Sequence, residues 1–185
     1  MIMHGLLDST ANFEKRLLAA LKALDIKEQC CCLELDHICV RLDTVDSVQR
    51  LQRELLSIGR NISTAIVNGR PIYIIELYEP LQVAGWMVKC VELPHPHPDK
   101  LFQNGWEHVE FVLPCATNTP KALQEAFEEL FPRLHSSVMQ EKYERTDSQP
   151  GVDGDQKPNP TISLKINGVG IKFHPLSIQE VVGTK

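Results

Sequence analysis

No apolar run in these 185 residues approaches the roughly 20 needed to cross a bilayer. The opening stretch, MIMHGLLDSTANFEKR, carries acids where a secretory leader would have its basic region, so the expected location is cytoplasmic. Basic charge is scarce: 19 Lys plus Arg stand against 24 Asp plus Glu, for a formal charge of −5. With no Lys/Arg stripe either, nucleic acid and anionic membrane surfaces are poor partners, since binding to both rests on neutralising phosphates. A C-x-x-C pair is missing among the six cysteines (Cys30, Cys31, Cys32, Cys39, Cys90, Cys115), which removes the usual spacing of a zinc knuckle. Three of the six are consecutive in a chain that is not small, so they read as reduced thiols and not as a disulfide framework. What is present is a 43% apolar fraction, enough for one core, and residues 1–185 read as a single domain.

Residues 10–28 place Phe13, Leu17, Leu18, Leu21 and Leu24 at helical spacing, and 10–32 read as an N-terminal helix with its connection. LELDHICVRLD then alternates as a half-buried strand. Thr44 or Asp46 caps a helix bearing Val48, Leu51 and Leu55, with Gly59 at its end. Ile62 to Val67 and Pro71 to Tyr78 form a hairpin about Asn68-Gly69, a pair suited to a type I′ turn, and Trp86 to Leu93 adds a further strand. After the proline-punctuated linker Pro94 to Gly105, the order repeats. Trp106 to Leu113 is a strand, Pro120 to Phe131 a helix, and Ser136 to Tyr143 a strand. Past a polar loop, Thr161 to Ile166 and Val169 to His174 make a hairpin about Asn167-Gly168. The expected class is α+β, with strand-helix-strand-strand-strand units at 33–98 and 99–185.

Strand parity then singles out the chemistry. His37 lies opposite in parity to Ile38, Val40 and Leu42, and His108 and Glu110 to Val109, Phe111 and Leu113. Glu92 and Cys90 alternate with Val91 and Leu93, as His174 and Lys172 do with Ile171 and Phe173. If helices cover the apolar faces, the other faces curve into a cleft holding His37, Glu92, His108 and His174. Buried imidazoles and carboxylates are costly unless paired, solvated or bound to a metal, and this set suits Zn²⁺, Fe²⁺, Ni²⁺ or Mn²⁺. Glu110 is open to three roles: a ligand in place of Glu92, an acceptor orienting an imidazole, or a general base; it also suits pairing with Arg41. Arg41 either clamps a substrate anion or neutralises a carboxylate, and Arg70, first a turn residue, reaches over the cleft only secondarily. Glu76 is a reserve ligand. His95 and His97 read as solvated linker residues, His4 and His135 as incidental, and Cys30-Cys31-Cys32 as buried or loop thiols.

The stretches DHICVR, NGRPI, VELP, GWEHVEFVLP, PNPT and IKFHPLSIQEVV resemble the YecM family of bacterial proteins over nearly the whole chain after the first helix. That family looks like a member of the vicinal oxygen chelate superfamily, whose glyoxalases, extradiol dioxygenases and fosfomycin-resistance proteins pair two βαβββ modules around a metal. The resemblance implies a half-barrel cleft with an extra N-terminal helix. Its ligands come from the first and last strands of the modules, here His37, Glu92, His108 and His174. The final strand offers His174 where the superfamily usually has Glu. The expected function is a metal-dependent isomerase, lyase or dioxygenase acting on a small anionic, oxygen-bearing substrate, with Glu110 as base and Arg41 or Arg70 on the anion. The alternative is a non-catalytic protein binding a metabolite or metal in the same cleft. A monomer or homodimer is expected.

Overall fold

A computed structural model describes residues 2–67, 69–97, 104–149 and 157–183, with the side chains of 2–4, 7 and 8 left aside. Residues 98–103 of the proline linker, Asn68 of the first hairpin turn and the His4 side chain lie outside the described set. The chain is a mixed α+β protein built on one open eight-stranded sheet. Helix α1 (Ile2–Ala23) begins well before the expected residue 10, and a short α2 (Lys27–Cys30) follows. Then come β1 (Glu34–Arg41), α3 (Val45–Leu56), β2 (Gly59–Val67), β3 (Arg70–Val83) and β4 (Trp86–Pro94). The second half runs β5 (Gly105–Val112), α4 (Pro120–Leu130), α5 (Ser137–Gln140), β6 (Glu144–Ser148), β7 (Thr161–Ile166) and β8 (Val169–His174), and α6 (Ile178–Val181) ends it.

The strand order is β2-β3-β4-β1-β5-β8-β7-β6. β1 lies parallel to β4, β5 lies parallel to β8, and β1 meets β5 antiparallel at the seam. The two halves therefore flank the seam in mirrored order. The three long helices cover one face: Leu17 and Leu21 of α1, Leu51 of α3 and Phe127 of α4 join Ile38, Val91, Val109 and Phe173 in one buried cluster. Phe173 stands within 5.0–5.8 Å of the rings of Phe111, Phe127 and Phe131.

The local signals act as their chemistry dictates. Thr44 and Thr119 cap α3 and α4 through their hydroxyl oxygens. Asn167 and Gly168 both take positive φ (50° and 72°), as a type I′ turn requires. One expectation fails: residues 136–143 form a helical turn and α5, and the strand lies just beyond, at Glu144–Ser148. That strand carries no apolar alternation, being an exposed edge held by backbone pairing to β7. No described helix is long and apolar enough to cross a membrane, and the described cysteines are all free thiols.

Candidate metal centre

The opposite face of the sheet carries two adjacent rows of side chains across the seam. In one, Cys90 of β4, His37 of β1, Glu110 of β5 and Lys172 of β8 stand in register. In the next, Glu92, Cys39, His108 and Gly170 do so. His37, Glu92, His108, Glu110 and His174 are all buried. The Nε2 atom of His37 is 3.4 Å from Glu110 Oε1 and 3.6 Å from Glu92 Oε2; that of His108 is 3.1 Å and 3.4 Å from the same two oxygens. His174 Nε2 lies 3.5 Å from Glu110 Oε2 and 3.6 Å from Asp36 Oδ2.

Behind each ring stands an oxygen acceptor. His37 Nδ1 donates to Asp36 Oδ2 at 2.7 Å, His108 Nδ1 to Glu107 Oε2 at 3.0 Å, and His174 Nδ1 to the Leu176 carbonyl at 2.6 Å. Acceptors at all three Nδ1 atoms fix the proton there and turn each Nε2 toward the cluster, the arrangement that metal-binding histidines use. Asp36 and Glu107 reach this position through irregular pairing. The β1–β5 register shifts between Leu35 and His37 and again between Cys39 and Val40, where it passes over Glu107. A carboxylate one residue before each histidine, which strict alternation would put on the helix-covered face, is thereby brought to its ring. Asp36 Oδ2 also accepts the amide of Ile178 at 2.9 Å, tying α6 to the cluster.

Electrostatics set the charge the cluster needs. Burial pushes His37 down, but Glu110 and hydrogen bonds with Asp36, Glu110 and Glu92 outweigh it and hold the imidazole well above its ordinary value. His108 is likewise raised against burial, by Cys39 and Glu107. Glu92 is held well below the usual carboxylate range against burial by hydrogen bonds from His108 and His37, and Glu110 by the charges of Lys172 and His37. Glu107 falls to about 2, burial being outweighed by His108 and Arg41. In His174 burial prevails and the imidazole is lowered, so its Nε2 is an unprotonated acceptor; it has no hydrogen-bond partner and faces two carboxylate oxygens. A buried acceptor facing only acceptors is unfavourable unless a cation lies among them.

Taken in pairs the donors fit such a cation, but His37 and His108 fall in different groups of mutually close ligand atoms and His174 joins only Asp36 and His37. Atoms bonded at ~2.1 Å to one tetrahedral ion stand about 3.4 Å apart, and the separations above are 3.1–3.6 Å. Groups of ligand atoms lying within 4.8 Å of one another are His37–Glu92–Glu110, Asp36–His37–His174 and Cys39–Glu92–His108, all buried and able to hold a metal ion. Among the described residues the permanent cations ion-paired with the four carboxylates Asp36, Glu92, Glu107 and Glu110 are Arg41 and Lys172, which leaves two negative charges to balance. Two imidazole protons or one divalent ion balances them.

The remaining expected residues separate clearly. Arg41 is bound to Glu107 at 2.6 Å, and the cation on Glu110 is Lys172 at 2.7 Å, not Arg41. Arg70 donates to the His95 carbonyl at 3.2 Å, its Nε is buried without a partner, and among the described residues no carboxylate pairs with it. Burial and the neighbouring Arg41 lower its pKa. Glu76 is engaged by Arg60 and Gln179, away from the cluster. His95 lies tilted beside Tyr73 and His135 meets Phe127 edge-on. Asp36, Glu107, Lys172 and Cys39 are the residues sequence reasoning passed over; the repeated Asp-His and Glu-His dipeptides were the available signal for the first two. Beside the cluster lies a cavity of about 390 Å³, bordered by Arg41, Arg70 and Lys172 and walled by Ile72, Ile74 and Val181. A wider recess of about 1000 Å³, lined by Arg16, Trp106 and Lys165, adjoins His108 and shares Arg41 and Lys172.

Gly170 makes room for His108: a Cβ there would stand 2.7 Å from the His108 Cβ. Gly170→Ala is therefore expected to cost about 1–3 kcal/mol by overpacking, read as a lowered urea midpoint at unchanged slope.

The family model for YecM protein matches residues 3–185. The chain is 36% identical over 155 residues to Protein YecM of Escherichia coli strain K12, covering 83% of this chain and 79% of that one. It is 37% identical over 153 residues to an uncharacterised protein of Haemophilus influenzae strain ATCC 51907, covering 80% and 77%. A solved structure described as "Structural Genomics, Protein EC4020" superposes with a TM-score of 0.83 at 30% identity, over 98% of this chain and 92% of that one. The chain belongs to the YecM family.

Proposed function

We propose that the two halves are vicinal-oxygen-chelate-type βαβββ modules whose cleft holds one divalent ion on His37, Glu92, His108 and His174, and that the protein is a metal-dependent enzyme acting on a small anionic, oxygen-bearing substrate. The observation carrying this reading is the set of three imidazoles, each tied back through Nδ1, whose Nε2 atoms converge on the oxygens of Glu92 and Glu110. Bound there, a divalent ion would supply Lewis acidity toward two neighbouring substrate oxygens. The chain supplies the rest. Arg70, paired with no carboxylate among the described residues, binds the substrate anion, and Arg41, already bound to Glu107, supports that charge from behind. Ile72, Ile74 and Val181 exclude water from the reacting end. Glu110 takes a proton from substrate in this reading, through the Oε2 that faces His174.

A non-catalytic reading has one observation in its favour. Lys172 and His37 hold Glu110 well below the usual carboxylate range, against burial, which makes it a weak base at neutral pH. A cleft that binds a metabolite without turnover needs no base. Elemental analysis of protein purified without chelator is expected to find one divalent ion per chain, lost in His37→Ala and His108→Ala. Full stability in both variants with no metal in any form would sink the metal reading. Turnover screening of the metal-loaded protein with Glu110→Gln beside it then separates enzyme from binder.

A further inference from the structure

Cys39 occupies the floor of the cluster, and nothing in the reading so far uses it. It lies in register between Glu92 on one side and His108 on the other, fully buried, with its sulfur, a Glu92 oxygen and a His108 nitrogen all within 4.8 Å of one another. The pairing registers add an independent argument. His37 stands opposite Glu110 and Cys39 opposite His108, so exchanging the two halves carries His37 onto His108 and Cys39 onto Glu110. Cys39 thus holds the place in the first half that Glu110 holds in the second, and Glu110 stands 3.1 Å and 3.4 Å from two imidazole nitrogens.

We propose that Cys39 is a thiolate ligand of the cation held at this cluster, making it a mixed nitrogen, oxygen and sulfur centre that selects a thiophilic ion. The inference rests on the cation reading above and fixes which ions it admits. Imidazoles and carboxylates alone serve zinc, iron, nickel and manganese alike, whereas a thiolate favours Zn²⁺ and, in substitution, Co²⁺ over Mn²⁺ or Mg²⁺. As the ion binds, the thiol gives its proton to solvent and the sulfur lone pair makes the bond, with no change of oxidation state. The buried, unpartnered Nε2 of His174 stands 3.5 Å from Glu110 Oε2, so nitrogen donors flank that carboxylate on both sides.

The test is X-ray absorption at the zinc edge on the full chain loaded with Zn²⁺, with Cys31→Ser and Cys32→Ser introduced to remove the two exposed thiols. One sulfur scatterer near 2.3 Å is expected, alongside lighter ligands. In Co²⁺-loaded protein a thiolate-to-cobalt charge-transfer band should accompany it. Both signals should vanish in Cys39→Ser and persist in Cys90→Ser. Zn²⁺ affinity should fall at least about 100-fold in Cys39→Ser, the upper end of what losing a partner behind a ligand costs, while Mn²⁺ affinity moves less than about tenfold. Stoichiometric zinc with only nitrogen and oxygen ligands overturns the thiolate and leaves the proposed function standing. No bound zinc overturns both. If Cys39→Ser does not fold, sulfur retained in Cys90→Ser supports the assignment and sulfur lost there overturns it.

Discussion

Lys172→Met is expected to cost the metal-free protein about 3 kcal/mol of unfolding free energy, the low end of the range for removing one member of a buried ion pair. The low end applies because the lysine side chain is 26% exposed and water can reach part of the gap it leaves. Its ammonium stands 2.7 Å from Glu110 Oε1, and it offsets the charge of Glu92 as well. Without it the negative charge to balance rises from two to three, and Glu110 must either stay ionised unpaired or take up a proton. Chemical denaturation of single and double variants measures this directly. Lys172→Met/Glu110→Gln should recover most of the loss, because the carboxylate whose charge was stranded is gone. Loading the Lys172→Met protein with Zn²⁺ should also shrink the deficit, since the ion restores positive charge at the same oxygens. A single-variant loss under about 1 kcal/mol, the magnitude of an exposed pair, would mean that Lys172 is a surface residue with no part in the cluster.

Most of the fold was legible because side-chain alternation and turn chemistry are local. β7 and β8 fall at the expected bounds, for Ile162, Leu164, Ile171 and Phe173 alternate cleanly around Asn167-Gly168. β6 was misplaced because Val138 and Met139 attracted the assignment, while the true strand, ERTDS, has no apolar face to reveal it. The same division holds at the site. Parity brings His37, Glu92, His108 and Glu110 to one face because these strands are regular between their irregularities. Asp36 and Glu107 escape parity because register shifts carry them to the histidine rings, and a shift of this kind depends on the partner strand. The choice between Arg41 and Lys172 as partner of Glu110 was likewise illegible, since it is decided by which strand lies beside β5. β8 does, placing Lys172 opposite Glu110 in register.

Above neutrality the metal-free protein is expected to lose stability as pH rises while the zinc-loaded protein holds level. In the metal-free chain His37 and His108 are raised above their ordinary 6.5, so their contribution to stability is complete below that value and is lost as pH rises through the folded-state pKa values. Glu92 and Glu110 are lowered from 4.5, so their contribution is present above that value and is lost as pH falls through the depressed values. His174 is lowered by burial, so its contribution is present above 6.5 and is lost as pH falls, and metal-free stability should therefore peak near 6.5 and decline on either side. Zinc competes with the two imidazole protons, one each on Nε2 of His37 and His108, so its affinity should rise by up to about 100-fold per pH unit while both sites hold protons. At a fixed excess of zinc each tenfold gain in affinity adds about 1.4 kcal/mol of stability, which exceeds the loss from the imidazoles below about 6.5 and offsets it above, so the loaded protein gains stability from about pH 5.5 to 7 and then holds level. Melting curves at several pH values, with and without zinc, give both slopes. Proton release on mixing in weak buffer gives the stoichiometry, with two protons per zinc expected at pH 6 and a third where Cys39 also ionises. Parallel slopes with no proton release would show that the imidazoles of the metal-free protein hold no displaceable protons, and the charge account of the cluster would fall with them.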